Sequence, residues 1–202
     1  GQSLAYVSDA GTPLVADPGF RLAQEAIARG LPVVAVPGAS AVLAALSVAG
    51  LPTDRFFFAG FLPPKSAARR TALEELKPVP GTLVFYESPR RLAGALSDMA
   101  GVLGGGRDAA VSRELTKRFE ETRRGTLSDL AEAYAAEAPP KGEVVVLIGP
   151  AEPAETSADD LDGALAHALE GQSLKDAVAE VTRATGLPRK RVYARALELA
   201  EK

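Results

Sequence analysis

Short continuous apolar runs alternate along the chain with segments whose apolar positions recur at helical spacing. Glycine or proline stands at most of the junctions. Leu4–Val7 and Pro32–Val36 read as strands, with a helix over Phe20–Gly30 between them. Each strand runs into a glycine turn: Ser8-Asp9-Ala10-Gly11-Thr12-Pro13 after the first, Pro37-Gly38-Ala39-Ser40-Ala41 after the second. The pattern predicts one βαβ unit. Such units hold ligands outside the carboxyl ends of their strands, where both turns fall. Neither turn is G-x-G-x-x-G or a Walker loop, so the usual dinucleotide and phosphate readings fail.

The alternation continues. An Ala/Leu/Val helix runs to Ala49 and stops at Gly50-Leu51-Pro52. Arg55–Phe61 is an aromatic strand, Lys65–Leu76 a helix, Thr82–Tyr86 a strand, and Arg90–Leu103 a helix. Ala109–Arg113 is a strand, Phe119–Thr126 a polar strand or hairpin, Leu127–Ala136 a helix, and Glu143–Ile148 an apolar strand. The expected class is α/β with two lobes. The first spans residues 1–50 and is incomplete, because Leu4–Val7 has no partner strand or preceding helix; the chain reads as a piece of something larger. The second spans 51–150. A Pro/Ala/acid linker, 151–159, leads to a small helical domain, 160–202, with helices over Leu161–Glu170, Ser173–Thr185 and Pro188–Leu199. The last two meet at Thr185-Gly186-Leu187-Pro188, a helix-turn-helix junction.

Composition narrows the chemistry. There is no cysteine, which excludes disulfides and thiolate zinc sites and suits a cytosolic protein. The single histidine, His167, lies in an Ala/Leu-rich helix, so Ser-His-Asp catalysis has no other candidate and no metal site is expected. No apolar run is long enough to span a bilayer. The net charge of −3 argues against wholesale coating of nucleic acid, but the distribution is uneven. Residues 60–124 carry twelve bases against eight acids, whereas 151–170 carries six acids and no base. A polyanion could use the basic stretch while the acidic one stays clear of it.

Several uncommon strings occur in order: V-S-D-A-G-T-P-L-V-A-D-P-G, V-P-G-A-S-A, G-L-P-T-D-R-F-F-F-A-G-F-L-P-P-K, T-L-V-F-Y-E-S-P-R-R, S-R-E-L-T-K and P-K-G-E-V-V-V-L-I-G. They resemble the ribosomal RNA small subunit methyltransferase I family, cytidine 2′-O-methyltransferases of 16S rRNA within the tetrapyrrole-methylase superfamily. The resemblance implies two tetrapyrrole-methylase-like lobes, S-adenosylmethionine as methyl donor, 16S rRNA in the 30S subunit as partner, a homodimer and a cytoplasmic location. The family's T-P-I-G-N-L turn and E-D-T-R segment are not found in this sequence. By position it assigns the cofactor to Gly11, Thr12, Pro13, Val15, Ser40 and Ala41, closed from the other side by Phe85 and Tyr86. Core packing is an equal reading for Phe85.

A transfer to a ribose hydroxyl needs alignment and a proton acceptor. Glu87, Glu114 and a pKa-depressed Lys117 are the candidates. The bland readings are a helix N-terminal acid for Glu87 and a salt bridge for Glu114. Lys65, Arg69, Arg70, Arg90, Arg91, Arg113, Lys117 and Arg118 suit RNA phosphates, with a solvated helix face as the other reading of Arg69 and Arg70. The alternatives are a methylase of small tetrapyrroles or of diphthamide precursor, and a non-enzymatic RNA-binding or dimerisation module.

Overall fold

The computed structural model describes residues 1–151 and 158–200, and the chain divides into two compact units, Gly1–Ala151 and Glu152–Lys202. The first unit is built on one sheet of five strands: β1 (Phe56–Phe61), β2 (Thr82–Glu87), β3 (Asp108–Arg113), β4 (Glu121–Thr126) and β5 (Val144–Ile148). Their spatial order is β1-β2-β5-β3-β4. β1 and β2 are parallel; every other pairing is antiparallel.

Period-two alternation gives this sheet two apolar faces. Leu83, Phe85, Val111, Val146 and Ile148 pack into one core with helices α3 (Ser66–Leu76), α4 (Leu92–Leu103) and α5 (Leu127–Ala136). Val84, Ala110, Val145 and Leu147 point the other way. There they meet Val42, Ala45, Leu46 and Ala49 of α2 (Ala41–Ala49), while α1 (Phe20–Ala28) buries no residue. Ser40 caps α2, and Gly50 ends it in the left-handed region at φ 75°. The Arg124 guanidinium donates to the Val48 and Ala49 carbonyls at that end. So α2, expected within the first lobe, packs as a layer on the sheet of the second.

The βαβ expectation fails in one respect. Neither Leu4–Val7 nor Val33–Val36 is a strand. Leu4, Val7, Val34 and Val36 are all about four-fifths exposed, with no neighbouring strand to complete a ladder and no cover over the apolar side chains. A continuous apolar run becomes a parallel strand only when it has both. The two glycine turns are nonetheless brought together: the Thr12 hydroxyl donates to the Ala39 carbonyl at 3.0 Å.

The second unit is three helices, α6 (Ala158–Leu169), α7 (Leu174–Thr185) and α8 (Arg189–Ala200), around Leu161, Leu165, Val178, Val181 and Val192. Ser173 caps α7, and Gly186 at φ 68° turns the chain into α8. His167 is exposed, 4.0 Å from Glu170. Of the expected linker, residues 152–157 lie outside the described residues.

Candidate functional site

Strand register defines one end of the sheet. Glu87 pairs with Val144, Val144 with Arg113, and Arg113 with Glu121. Because β1 runs parallel to β2, the segments leaving β1, β2 and β3 and entering β4 and β5 all emerge along this rim. Lys65, Arg90, Lys117, Arg118 and Lys141 stand on those segments, and all are exposed.

The same rim receives the amino end of α2. Tyr86 packs with Phe58 and Leu115 against the α2 face. Burial raises its phenol pKa, a backbone hydrogen bond with Val42 pulls the other way, and the Glu143 charge raises it further. Tyr86 thus touches the first turn of α2 and feels Glu143 beside it. The Ala41 N–H, one turn-residue earlier, has no acceptor among the described residues. Gly11 at φ 75° lies against the Ala39 carbonyl, and a Cβ on Gly38 would meet open space. Thr12 thus meets Ala39 and Tyr86 meets Val42, on either side of Ser40 in the chain. Val15 is half-exposed between Leu14 and Ala16, both in the left-handed region at φ 72° and 56°. Pro13 is partly buried beside it.

Phe85 does not belong to this group. Its ring is wholly buried on the opposite face, among Leu73, Leu92 and Leu96, because adjacent strand residues point to opposite sides. The core reading of Phe85 replaces the cofactor reading.

Next to Tyr86 lies a compact acid–base cluster. The Lys117 ammonium donates to Glu114 at 3.0 Å and to Glu143 at 2.8 Å. Glu114 also accepts from the Glu143 N–H, while its own N–H donates to the Glu143 carbonyl. Backbone hydrogen bonding at Glu143, then Lys117, holds the Glu114 carboxyl below its ordinary range. The two carboxylates push the Lys117 pKa up. The expectation of a depressed lysine base is overturned: Lys117 is a fixed cation, and Glu114 is its bracket. Both Glu114 (φ 49°) and Thr116 (φ 63°) are left-handed, so the R-E-L-T-K turn is tight and strained.

Glu87 is buried and already engaged. Its Oε1 accepts from the Ser88 N–H at 2.6 Å and Arg91 Nε at 2.7 Å, while Oε2 has no partner. It shares the Phe85 face, away from Tyr86, so its expected role as proton acceptor gives way to an ion pair that fixes the Y-E-S-P-R-R turn. Arg91 is spent in that pair and on the Leu62 carbonyl. Arg69 is buried, ion-paired to Asp98 at 2.6 Å and donating to Pro64. It is a core residue, neither a phosphate ligand nor a solvated helix residue. Arg70 stays half-exposed, 3.7 Å from Asp98. Arg113 pairs with Glu121 at 2.7 Å and keeps partial exposure.

Sequence reasoning missed Glu143. Its signal was the P-K-G-E string, which serves there as a family motif and the entry to a strand but is assigned no chemistry.

Residues 1–131 match the tetrapyrrole (corrin/porphyrin) methylases, and residues 155–200 match the RsmI C-terminal HTH domain. Among solved structures, the methyltransferase CobJ superposes with a TM-score of 0.51 at 21% identity, over 70% of this chain and 62% of that one. Diphthine synthase superposes with a TM-score of 0.51 at 16% identity, over 69% and 57%. Both likenesses concern the fold alone. Among curated proteins, the ribosomal RNA small subunit methyltransferase I of Mesorhizobium japonicum is 54% identical over the whole chain and 68% of its own length. That of Pseudomonas aeruginosa is 44% identical over 98% of the chain and 72% of its own length. The chain belongs to the ribosomal RNA small subunit methyltransferase I family, a branch of the tetrapyrrole methylases.

The structure is compatible on its own terms with S-adenosylmethionine, the methyl donor that the sequence resemblance implies. Positive-φ Gly11, open Gly38 and the unused Ala41 N–H leave backbone donors and room for a polar, flat ligand. Among the described residues no group of three or more His, Cys, Asp and Glu could hold a metal ion, and no helix is long and apolar enough to cross a membrane.

Proposed function

We propose that this chain belongs to an enzyme that methylates the ribose 2′-hydroxyl of a cytidine in 16S rRNA of the small ribosomal subunit, acting as a homodimer. One observation carries the reading: Tyr86, linked to the first turn of α2, adjoins the Glu143–Lys117–Glu114 cluster. Cofactor-type backbone and acid–base groups thus share one rim. When bound, S-adenosylmethionine supplies an electrophilic methyl on a sulfonium, which becomes a neutral thioether as the new oxygen–carbon bond forms.

The protein's own residues do the rest. Gly11, Thr12, Ser40 and Ala41 hold the donor by backbone groups and a hydroxyl. Lys117, fixed by two carboxylates, places a permanent cation against the RNA backbone. Glu143 is the exposed carboxylate of the cluster, and it takes the hydroxyl proton as the oxygen attacks. Most of the rate comes from alignment, because a carboxylate is a weak base for an alcohol.

The test is methyl transfer from tritiated donor to 30S subunits that lack the modification, with ribose methylation mapped by alkaline resistance. Label in a cytidine ribose supports the reading. Label in uroporphyrinogen instead would assign a small-molecule methylase. RNA binding without transfer to either would leave a binding module. Light scattering tests the dimer.

A further inference from the structure

Phe119 is a large aromatic left bare. Its side chain is 63% exposed, although it sits between charged segments with no apolar cover. It borders a cleft of about 450 Å³ lined by Arg113, Glu121 and Arg123 on β3 and β4, by Tyr134 on α5, by Glu137 at the C-cap of that helix, and by Lys141. Arg113, Glu121, Arg123 and Glu137 pair with one another. Glu121 bridges Arg113 and Arg123, Arg123 reaches Glu137, and the Arg123 guanidinium lies 5.1 Å over the Tyr134 ring.

Two cations are left over. Arg118 stacks on the Phe119 ring at 5.5 Å, and neither it nor Lys141 has a carboxylate partner among the described residues. An exposed ring, a guanidinium over one face of it and an uncommitted ammonium lining the same cleft form the set that recognises an unpaired nucleotide. The base stacks on the aromatic face, and the flanking phosphates meet the cations. A duplex offers no free base face, and an acidic peptide has no flat ring to use Phe119.

Resting on the rRNA reading above, we infer that Phe119, Arg118 and Lys141 form a stacking subsite for an unpaired nucleotide of the RNA substrate that flanks the one methylated. The cleft shares Arg113 with the rim and lies on the α5 side of the sheet, whereas Tyr86 lies on the α2 side. The strand therefore bends around the rim, with its reactive ribose on one side and the stacked neighbour on the other.

The protein contains no tryptophan, so Phe119→Trp gives a single reporter at the subsite. Titration with an unstructured single-stranded oligoribonucleotide should quench that fluorescence. The matching duplex should leave it nearly unchanged. Phe119→Ala, whose folding is checked by circular dichroism, should weaken single-strand affinity roughly tenfold with the salt slope intact, because a stack and no phosphate contact is lost. Lys141→Ala should lower the salt slope by about one. Bound RNA with unquenched Phe119→Trp, or wild-type affinity in Phe119→Ala, overturns the subsite while leaving the RNA reading intact. Equal quenching by polyglutamate overturns it in favour of a general polyanion patch. Wild-type protein that binds no single-stranded RNA overturns the reading and the subsite together.

Discussion

The carboxyl group of Glu114 lies directly against the backbone of Gly142. A Cβ at that glycine would overlap the Glu114 Cγ and Cδ atoms, and the glycine itself is at φ 97°. The loop that brings Glu143 to Lys117 therefore closes only because position 142 has no side chain.

Gly142→Ala should break this arrangement. Strain at positive φ costs of order 1–3 kcal/mol, and the overlap forces Glu114 off its bonds to Lys117 and the Glu143 N–H. The melting temperature should fall by several degrees, and methyl transfer should fall more than stability alone explains. A variant with unchanged melting and transfer would show that the loop is not held by this contact.

The Glu114–Lys117 pair should leave a mark on pH stability at both extremes. Glu114 has a folded pKa below its unfolded value, so its contribution is present above about pH 4.3 and is lost as pH falls through the folded pKa. Lys117 has a raised folded pKa, so its contribution is present below about pH 10.4 and is lost as pH rises through the folded pKa. Glu114→Gln should flatten the acid limb of a denaturation-versus-pH curve, and Lys117→Met the alkaline limb. Identical limbs in variant and wild type would dissociate the pair from stability.

Arg69 and Arg90 should separate cleanly. Arg69→Ala leaves the buried Asp98 with only the Ser66 hydroxyl and the more distant Arg70, a loss of about 1–3 kcal/mol, which urea denaturation would read. Arg90→Ala should leave stability alone and lower the salt slope of RNA binding by about one. A stable Arg69→Ala with a reduced slope would restore the phosphate role that its burial denies.

Gly11→Val should weaken binding of the cofactor product S-adenosylhomocysteine, measured by calorimetry. A branched side chain cannot hold φ 75° without strain, and the turn must keep the Thr12 hydroxyl on the Ala39 carbonyl. Unchanged affinity would move the cofactor away from this turn.

Elements with a complete local signal were legible in the sequence. The stop at Gly50-Leu51-Pro52, the helix over Leu127–Ala136 and the apolar run at Val144–Ile148 all lie where residue chemistry puts them. Leu4–Val7 and Val33–Val36 carry the same apolar signal, but strand formation needs a neighbour, which composition does not reveal. At the site, one-residue alternation decided the outcome. Tyr86 and Phe85 look alike in a string, yet pleating sends the first to α2 and the second into the core. Arg69 was misread because a buried arginine depends on Asp98, 29 residues away. Glu143 was missed because its meaning lies in Lys117, across 26 residues of chain.

The sheet order also governs how the molecule can be made. β5 is the last strand among the described residues, yet it sits between β2 and β3, which do not pair with each other. Until Val144–Ile148 leaves the ribosome, the other four strands of this sheet can pair only as two separate ribbons, β1 with β2 and β3 with β4, each with an unpaired inner edge. Such unpaired edges invite association with other chains. Closure thus waits for a late, long-range insertion that converts two open ribbons into one sheet, a topology that favours slow folding and gives holdase chaperones a defined target. A release-arrested chain ending near residue 140 should remain protease-sensitive and chaperone-bound, whereas one extended past Ile148, with enough further length to clear the exit tunnel, should acquire protection in a single step.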